Sequence, residues 1–136
     1  MINDIEQAII TKLKDDAELE IAVEVFPEKP AEYRLIHAKG AVLVAYRDTD
    51  FEDVGSSQET RTITFVLTFL LRNLRQHKAS YASLEKASNT LSRFYPLDNN
   101  KSSTMQINKE RFVRENEGVW QYDQVYQCTV YVNNDC

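Results

Sequence analysis

The stretch Thr62-Ile63-Thr64-Phe65-Val66-Leu67-Thr68-Phe69-Leu70-Leu71 has no glycine, proline or charge and is rich in β-branched and aromatic residues. Its apolar side chains recur at every second position from Ile63 to Leu71. The alternate positions combine threonines with Val66 and Leu70. This alternation predicts a long strand that has one fully buried face and one semi-polar face.

Size and composition limit what the remaining chain can be. The 136 residues are 43% hydrophobic and include only three glycines and three prolines, which predicts a single domain over residues 1–136. No apolar run approaches the ~20 residues of a membrane span, and the acidic N-terminus lacks the features of a signal peptide. The net charge of −5 disfavours nucleic-acid binding, which needs phosphate neutralisation. We therefore expect synthesis in the cytoplasm and partners that include neither a membrane nor a sequence-specific nucleic acid.

The residues before the long stretch predict a helix and two strands. Isoleucine and leucine spacing indicates an amphipathic helix over 3–16, capped by Asn3. A short strand over 20–26 follows, and then a helical turn from Pro30 that ends at Gly40. The apolar run 41–46 predicts a strand covered on both faces, and the acidic segment 47–59 predicts a polar loop.

The residues after it predict a second helix and a hairpin. A basic connector over 72–78 leads to a helix over 79–95, which Pro96 ends. The apolar face of this helix comprises Tyr81, Leu84, Leu91 and Phe94. Residues 105–114 alternate weakly and are expected to be strand in part. Asn116-Glu117-Gly118 then indicates a hairpin turn, and 119–132 a second long strand.

This order of elements favours an α+β fold. We predict a mostly antiparallel sheet of four to five strands, with two helices packed on one face. The helices need an apolar surface against which to pack, and the buried faces of the strands provide it.

Residues suited to catalysis or metal binding are sparse. Asp48, Asp50, Glu52 and Glu59 imitate the spacing of a calcium loop, but Asp53 occupies the position that requires glycine. The two histidines are 40 residues apart and the two cysteines, Cys128 and Cys136, form no disulfide framework. We predict no catalytic residue, no metal and no cofactor, and free thiols at both cysteines.

Three groups of residues are candidate contacts with another subunit or a partner protein. Arg72, Asn73 and Arg75 belong to the basic connector, which is otherwise a solvated loop. Val66 and Leu70 lie on the semi-polar side of the long strand. Trp120 and Tyr122 belong to the aromatic final strand, and aromatic residues are enriched at interfaces, although a place in the core is the alternative.

Taken together, several stretches resemble a tail-completion family of Mu-like bacteriophages, whose members act as tail terminators. The order and spacing of these stretches across nearly the whole chain carry the resemblance. They are residues 5–10 (IEQAII), 41–47 (AVLVAYR), 66–69 with 72–75 (VLTF and RNLR), 81–85 (YASLE) and 118–122 (GVWQY).

The resemblance implies a structural protein of the virion tail rather than an enzyme. Members of such a family assemble as hexameric rings on the tail tube, stop its growth and join it to the neck, so the tube protein and a neck protein are the implied partners. A small neck or adaptor module that does not limit tube length is the alternative, and an enzyme that uses the acidic segment is a third. The source could be an active phage, a prophage or a tail-derived bacteriocin.

Overall fold

One five-stranded sheet organises the chain. A computed structural model describes residues 1–16, 18–53, 55, 58–72 and 77–133. In chain order the elements are α1 (Ile2–Lys14), β1 (Ala22–Val25), a 3-10 turn (Pro30–Glu32), β2 (Gly40–Asp53), β3 (Gln58–Arg72), α2 (His77–Leu91), β4 (Gln106–Asn116) and β5 (Val119–Asn133). The strand order is β1-β2-β3-β5-β4, in which β1 and β2 are parallel and every other neighbouring pair is antiparallel. The predicted α+β fold with a mostly antiparallel sheet is confirmed.

The core lies between both helices and one face of the sheet, which we call the helix face. On β3, the predicted apolar side chains from Ile63 to Leu71 are all buried here. The other strands and the helices add apolar side chains to the same cluster. These include Ile5, Ile9, Leu13, Val42, Val44, Leu84, Ala87, Leu91, Tyr126 and Cys128. The two helices therefore pack on one face, as the sequence indicates.

The opposite face of the sheet, called the open face, is covered only in part. Parallel neighbours cannot be joined by a tight turn, so the chain between β1 and β2 has to cross the sheet. Residues 26–39 make this crossing over the open face, where His37 Nε2 lies 2.6 Å from Glu24 Oε1. Ala41 and Leu43 of β2 are consequently buried. The threonines of β3 lie on this face as well, farther along the sheet.

The acidic segment 47–59 is mostly strand, so its prediction as a loop is wrong. β2 continues to Asp53, and its residues pair with β3 as far as Asp53 opposite Glu59. A β-bulge between Tyr46 and Asp48 shifts the register. Backbone pairing with a long neighbouring strand outweighs the low β-propensity of aspartate and glutamate here. The segment does not have the architecture of a helical calcium loop either, because Asp48, Asp50 and Glu52 belong to β2 and Glu59 to β3, whereas such a loop joins two helices.

Four smaller predictions are also corrected. Asn3 does not cap α1, because the helix begins at Ile2 with Met1 as its N-cap and no side-chain cap bond. The helical turn at Pro30 ends at Glu32, and Gly40 opens β2 rather than closing a helical segment. α2 ends at Leu91, short of Pro96, and Arg93 follows it with a left-handed φ of 67°. Tyr81 is half exposed, while Ser80 and Ala87 take buried places on the inner face.

The hairpin between β4 and β5 forms as predicted. Asn116 pairs with Val119, so that Glu117 and Gly118 form a two-residue turn. Their φ angles of 52° and 81° are both positive, as a type I′ turn requires.

Candidate interaction surfaces

The residues predicted to make contacts lie on opposite faces of the sheet. Val66 and Leu70 are half-buried on the open face, whereas Trp120 and Tyr122 lie on the helix face. Asn73 and Arg75 lie outside the described residues. The structure therefore does not join these residues into one surface, and their roles as contacts stay predictions.

Arg72, at the end of β3, makes contacts within its own chain. Its Nε donates to the carbonyl oxygen of His37 at 3.0 Å, and a terminal guanidinium nitrogen donates to that of Leu35. These bonds hold residues 33–39 over the open face. Arg72 also lines an open cleft of about 400 Å³, together with Arg34 and Arg114.

An aromatic cluster lies where the start of α2 meets the β4–β5 hairpin. The Trp120 ring contacts His77 at 4.5 Å and Phe112 at 5.4 Å between centroids. Phe112 also contacts Tyr122, and His77 stacks on Tyr81 at 6.0 Å. Phe112 and Tyr81 are about half exposed, at 52% and 50%. The cluster therefore places aromatic surface at the edge of the sheet formed by β4.

Polar side chains of neighbouring strands are bonded to one another across the open face. Thr68 Oγ1 donates to Asp123 Oδ1 at 3.2 Å, and Arg111 reaches the other oxygen of that carboxylate at 3.5 Å. Arg114 Nε donates to Gln121 Oε1 at 3.2 Å. These bonds fix Arg111 and Arg114 on the open face.

Two edges of the sheet are free, and they lie at diagonal corners. β1 pairs only with residues 41–44 of β2, so the part of β2 over residues 45–53, which we call the arm, has no strand on its outer side among the described residues. β4 forms the opposite edge of the sheet over residues 106–116 and is called the β4 edge. It pairs with residues 119–127 of β5, near the other end of the sheet.

The arm has an acidic row on the open face. Asp48, Asp50 and Glu52 are exposed and pair with the open-face threonines Thr64, Thr62 and Thr60. Asp48 accepts a bond from Arg47 at 3.2 Å. The side chains of Asp50 and Glu52 form no hydrogen bond or ion pair with the part of the chain that the structure describes.

The β4 edge has a basic row on the same face. Lys109, Arg111 and Arg114 are exposed and lie opposite Val125, Asp123 and Gln121 of β5. Two bulges, after Ile107 and after Phe112, interrupt the pairing and keep these three side chains on one face. The acidic side chains of β4, Glu110 and Glu115, pair with Gln124 and Trp120 on the helix face.

The helix face of the arm has two exposed aromatic side chains, Tyr46 and Phe51, beside Thr49 and Asp53. Phe51 is 66% exposed, and Arg61 lies over its ring at 5.1 Å. Tyr46 is 40% exposed and is bonded to Thr49 Oγ1 at 2.7 Å. Together with Met1, Ile2 and Ile63 these residues line an open apolar hollow of about 340 Å³.

A buried polar network beneath α2 is absent from the sequence predictions. Gln124 is fully buried on the helix face, and its Nε2 donates to the Leu84 carbonyl at 2.9 Å and to Glu110 at 2.6 Å. The Tyr126 hydroxyl donates to Gln124 Oε1 at 2.7 Å. The alternation of residues along β5 could have predicted the burial of Gln124, because this residue lies two positions from both Tyr122 and Tyr126 and therefore on the same, buried side.

The described residues contain no group of three or more His, Cys, Asp or Glu side chains that could hold a metal ion. Cys128 is a buried free cysteine, whereas Cys136 lies outside the described residues. No helix in the described ranges is both long enough and apolar enough to cross a membrane.

Comparisons with known proteins identify related sequences and a related fold. The sequence model of a family described as "Gp37 protein" matches residues 9–134. No curated protein matches the chain significantly in sequence. A solved chain described as "Virion of native gene transfer agent (GTA) particle" has a similar fold, with a TM-score of 0.73 and 15% sequence identity, and the match covers 93% of this chain and 94% of that one.

Proposed function

The chain belongs to the Gp37 protein family, and from that premise we propose that it is a structural protein of a phage-like virion. Six copies form a ring that caps the tail tube, stops its growth and joins it to the neck. The protein is thus a component of the virion tail rather than an enzyme. We also propose that it is related to the tail terminators of Mu-like phages.

The observation that carries the proposal is the fold shared with a chain of a gene transfer agent virion over nearly the full length of both. A likeness of this extent supports a role in a particle of that general kind. The geometry of the sheet supports it too. A closed ring needs two different surfaces on each subunit, and the arm and the β4 edge are two different free edges.

Assembly of tubes in the presence of the protein tests the proposal. The tube protein from the same genome is polymerised with and without this chain, and tube lengths and ends are measured by negative-stain microscopy. We expect shorter tubes of defined length that have a ring at one end. Tubes that grow equally long in both samples would remove the proposed capping role.

A neck or adaptor module is the second candidate, and the open cleft favours it. Three arginines, Arg34, Arg72 and Arg114, and one carboxylate, Glu117, line this cleft, so its net positive charge suits an acidic segment of a partner protein. Such a module would bind a neck protein and leave tube length unchanged. Binding to the neck protein without any effect on tube length would therefore select this candidate.

A further inference from the structure

We infer that copies of this chain dock head to tail, with the arm of one copy against the β4 edge of the next. The contact pairs the acidic row with the basic row and the exposed aromatic side chains of the arm with Phe112. The inference deepens the proposed function and rests on it, because it names the surfaces through which the proposed ring would close.

The distribution of charge is the first observation behind the contact. Charged residues on free edges commonly serve to prevent edge-to-edge pairing. Charges of the same sign on both edges would prevent such pairing, because they repel one another. Here the open face of the arm is acidic, at Asp48, Asp50 and Glu52, and the open face of the β4 edge is basic. The rows attract one another when two copies meet, so they favour one specific contact.

The direction of the strands agrees with this contact. β2 and β3, β3 and β5, and β5 and β4 are antiparallel pairs, so β2 and β4 run in opposite directions. Two copies in the same orientation therefore bring the arm of one antiparallel to the β4 edge of the other. Opposite charges that face each other across antiparallel strands stabilise the pairing.

The second face of each edge agrees as well. When the sheets of two copies lie side by side in the same orientation, their helix faces adjoin. Phe51 and Tyr46 of the arm then approach Phe112 of the β4 edge. All three are exposed in the single chain, by 66%, 40% and 52%. The same arrangement thus buries apolar surface on one face and pairs charges on the other.

Nearby charges modify the rows without changing their sign. Arg47 pairs with Asp48 at the start of the arm, which leaves Asp50 and Glu52 as the free carboxylates of the acidic row within the described structure. Asp123 offsets part of the charge of Arg111, although its side chain is only 13% exposed. Lys109 forms no side-chain bond with the described residues, and Arg114 bonds only a neutral amide.

A second copy is the occupant that uses both rows. A basic partner would pair with the arm and leave the β4 edge unoccupied, and an acidic partner would do the reverse. The net charge of −5 also makes copies repel at long range, so a specific contact between them requires local complementarity of this kind.

Charge reversal tests the contact in the full chain. The first variant carries Asp48→Lys, Asp50→Lys and Glu52→Lys, and the second carries Lys109→Glu, Arg111→Glu and Arg114→Glu. A third variant combines all six changes and keeps the net charge at −5.

The matched control carries Asp15→Lys, Glu28→Lys and Glu85→Lys. It changes the net charge by the same amount as the first variant, at exposed positions outside both rows. Sedimentation velocity over a concentration series measures self-association, and circular dichroism checks folding.

We expect the wild type and the matched control to associate similarly, and each three-residue variant to associate at least about tenfold more weakly because like charges then face each other. An equimolar mixture of the two variants should associate again, as should the six-residue variant. Association of the wild type should also weaken between about 50 mM and about 500 mM salt, because the screening length shortens. Phe51→Ala should weaken association while leaving the fold intact.

Four results would overturn the inference. They are a wild type that stays monomeric at low salt, three-residue variants that associate like the wild type, a mixture that fails to recover association, and a wild type that binds a basic or an acidic partner protein instead of a second copy. Tube capping separates the two proposals. If the three-residue variants no longer self-associate but still cap tubes, the proposed function stands and the two rows are not the contact within the ring. If the wild type self-associates through the rows but does not cap tubes, the contact stands and the proposed function is wrong.

Discussion

Gln124 shows how a single polar side chain can be accommodated in the core. Glutamine is mostly an exposed residue, yet this one is fully buried and bonded to Leu84, Glu110 and Tyr126. Because every one of its side-chain polar atoms has a partner, its burial is tolerated. The network ties the middle of β5 to α2 and to β4, whose outward side forms one of the free edges.

Gln124→Leu should lower the free energy of unfolding by about 2–4 kcal/mol, because it leaves the Tyr126 hydroxyl buried without its partner and removes the bonds to the Leu84 carbonyl and to Glu110. Urea denaturation measures the change. Gln127→Leu is the matched control, since Gln127 lies on the open face with one long bond of 3.4 Å to Thr64. Equal losses in the two variants would mean that the buried network adds no stability.

Cys128 makes the stability of the fold sensitive to high pH. Burial raises the pKa of its thiol to about 11, from an ordinary value of 9.0, because the thiolate would be poorly solvated in the core. Above pH 9 the unfolded chain can therefore ionise this group while the folded chain cannot. The contribution of the Cys128 thiol to the free energy of unfolding is therefore fully present below pH 9 and is lost as the pH rises towards 11. Burial also raises the pKa of Tyr126, which acts in the same direction.

Unfolding by urea at a series of pH values from 8 to 11 should show this loss. Cys128→Ala should reduce the slope above pH 9, in spite of a lower stability at neutral pH from the smaller side chain. An unchanged slope in this variant would mean that the Cys128 thiol is not responsible for the pH dependence.

Gly40 decides how β2 enters the sheet. Its φ is +131°, and a Cβ atom here would lie 2.3 Å from the carbonyl oxygen of Leu70 in β3. Glycine is therefore required by close approach of the backbone as well as by its conformation. The position fixes the first pair of the β2–β3 ladder, Gly40 opposite Leu71.

We expect Gly40→Ala to destabilise the fold by about 2 kcal/mol or more, since backbone atoms of β3 have to move. Gly55→Ala is the matched control. Gly55 also has a positive φ, of +93°, but no atom of the described residues lies within 4 Å of its added Cβ. The control should therefore cost only about 1 kcal/mol. Thermal unfolding compares the two, and equal shifts would mean that contact with Leu70 is unimportant.

The regular alternation of β3 and β5 is what made these strands predictable. Every second residue from Ile63 to Leu71 is buried on the expected side, and Tyr122, Tyr126, Cys128 and Val130 are buried together on β5. The arm was not predictable in the same way, because it is polar and its strand conformation comes from pairing with β3. The acidic row was nevertheless visible as period-two carboxylates at Asp48, Asp50 and Glu52, once residues 47–53 are treated as extended.

At the scale of the whole molecule, the sequence predicts the layers but not the surfaces. Helix and strand periodicities are enough to indicate two helices on one face of a sheet. The alternation within β3 and β5 already indicates that Val66 lies on the open face and Trp120 on the helix face. The two free edges depend on the order of the strands in the sheet. For that reason the surfaces now proposed for docking differ from the residues first selected.

The diagonal position of the two free edges has a geometric consequence for any row of copies. Asp50 is level with Thr62 of β3, whereas Arg111 is level with Thr68, through Asp123. Six residues of strand separate these levels, which is about 20 Å at 3.3 Å per residue. Successive copies docked through the rows would thus be offset by this distance along the direction of the strands. The inclination of the strands to the axis of the assembly then decides whether the copies form a closed ring or an open helical filament.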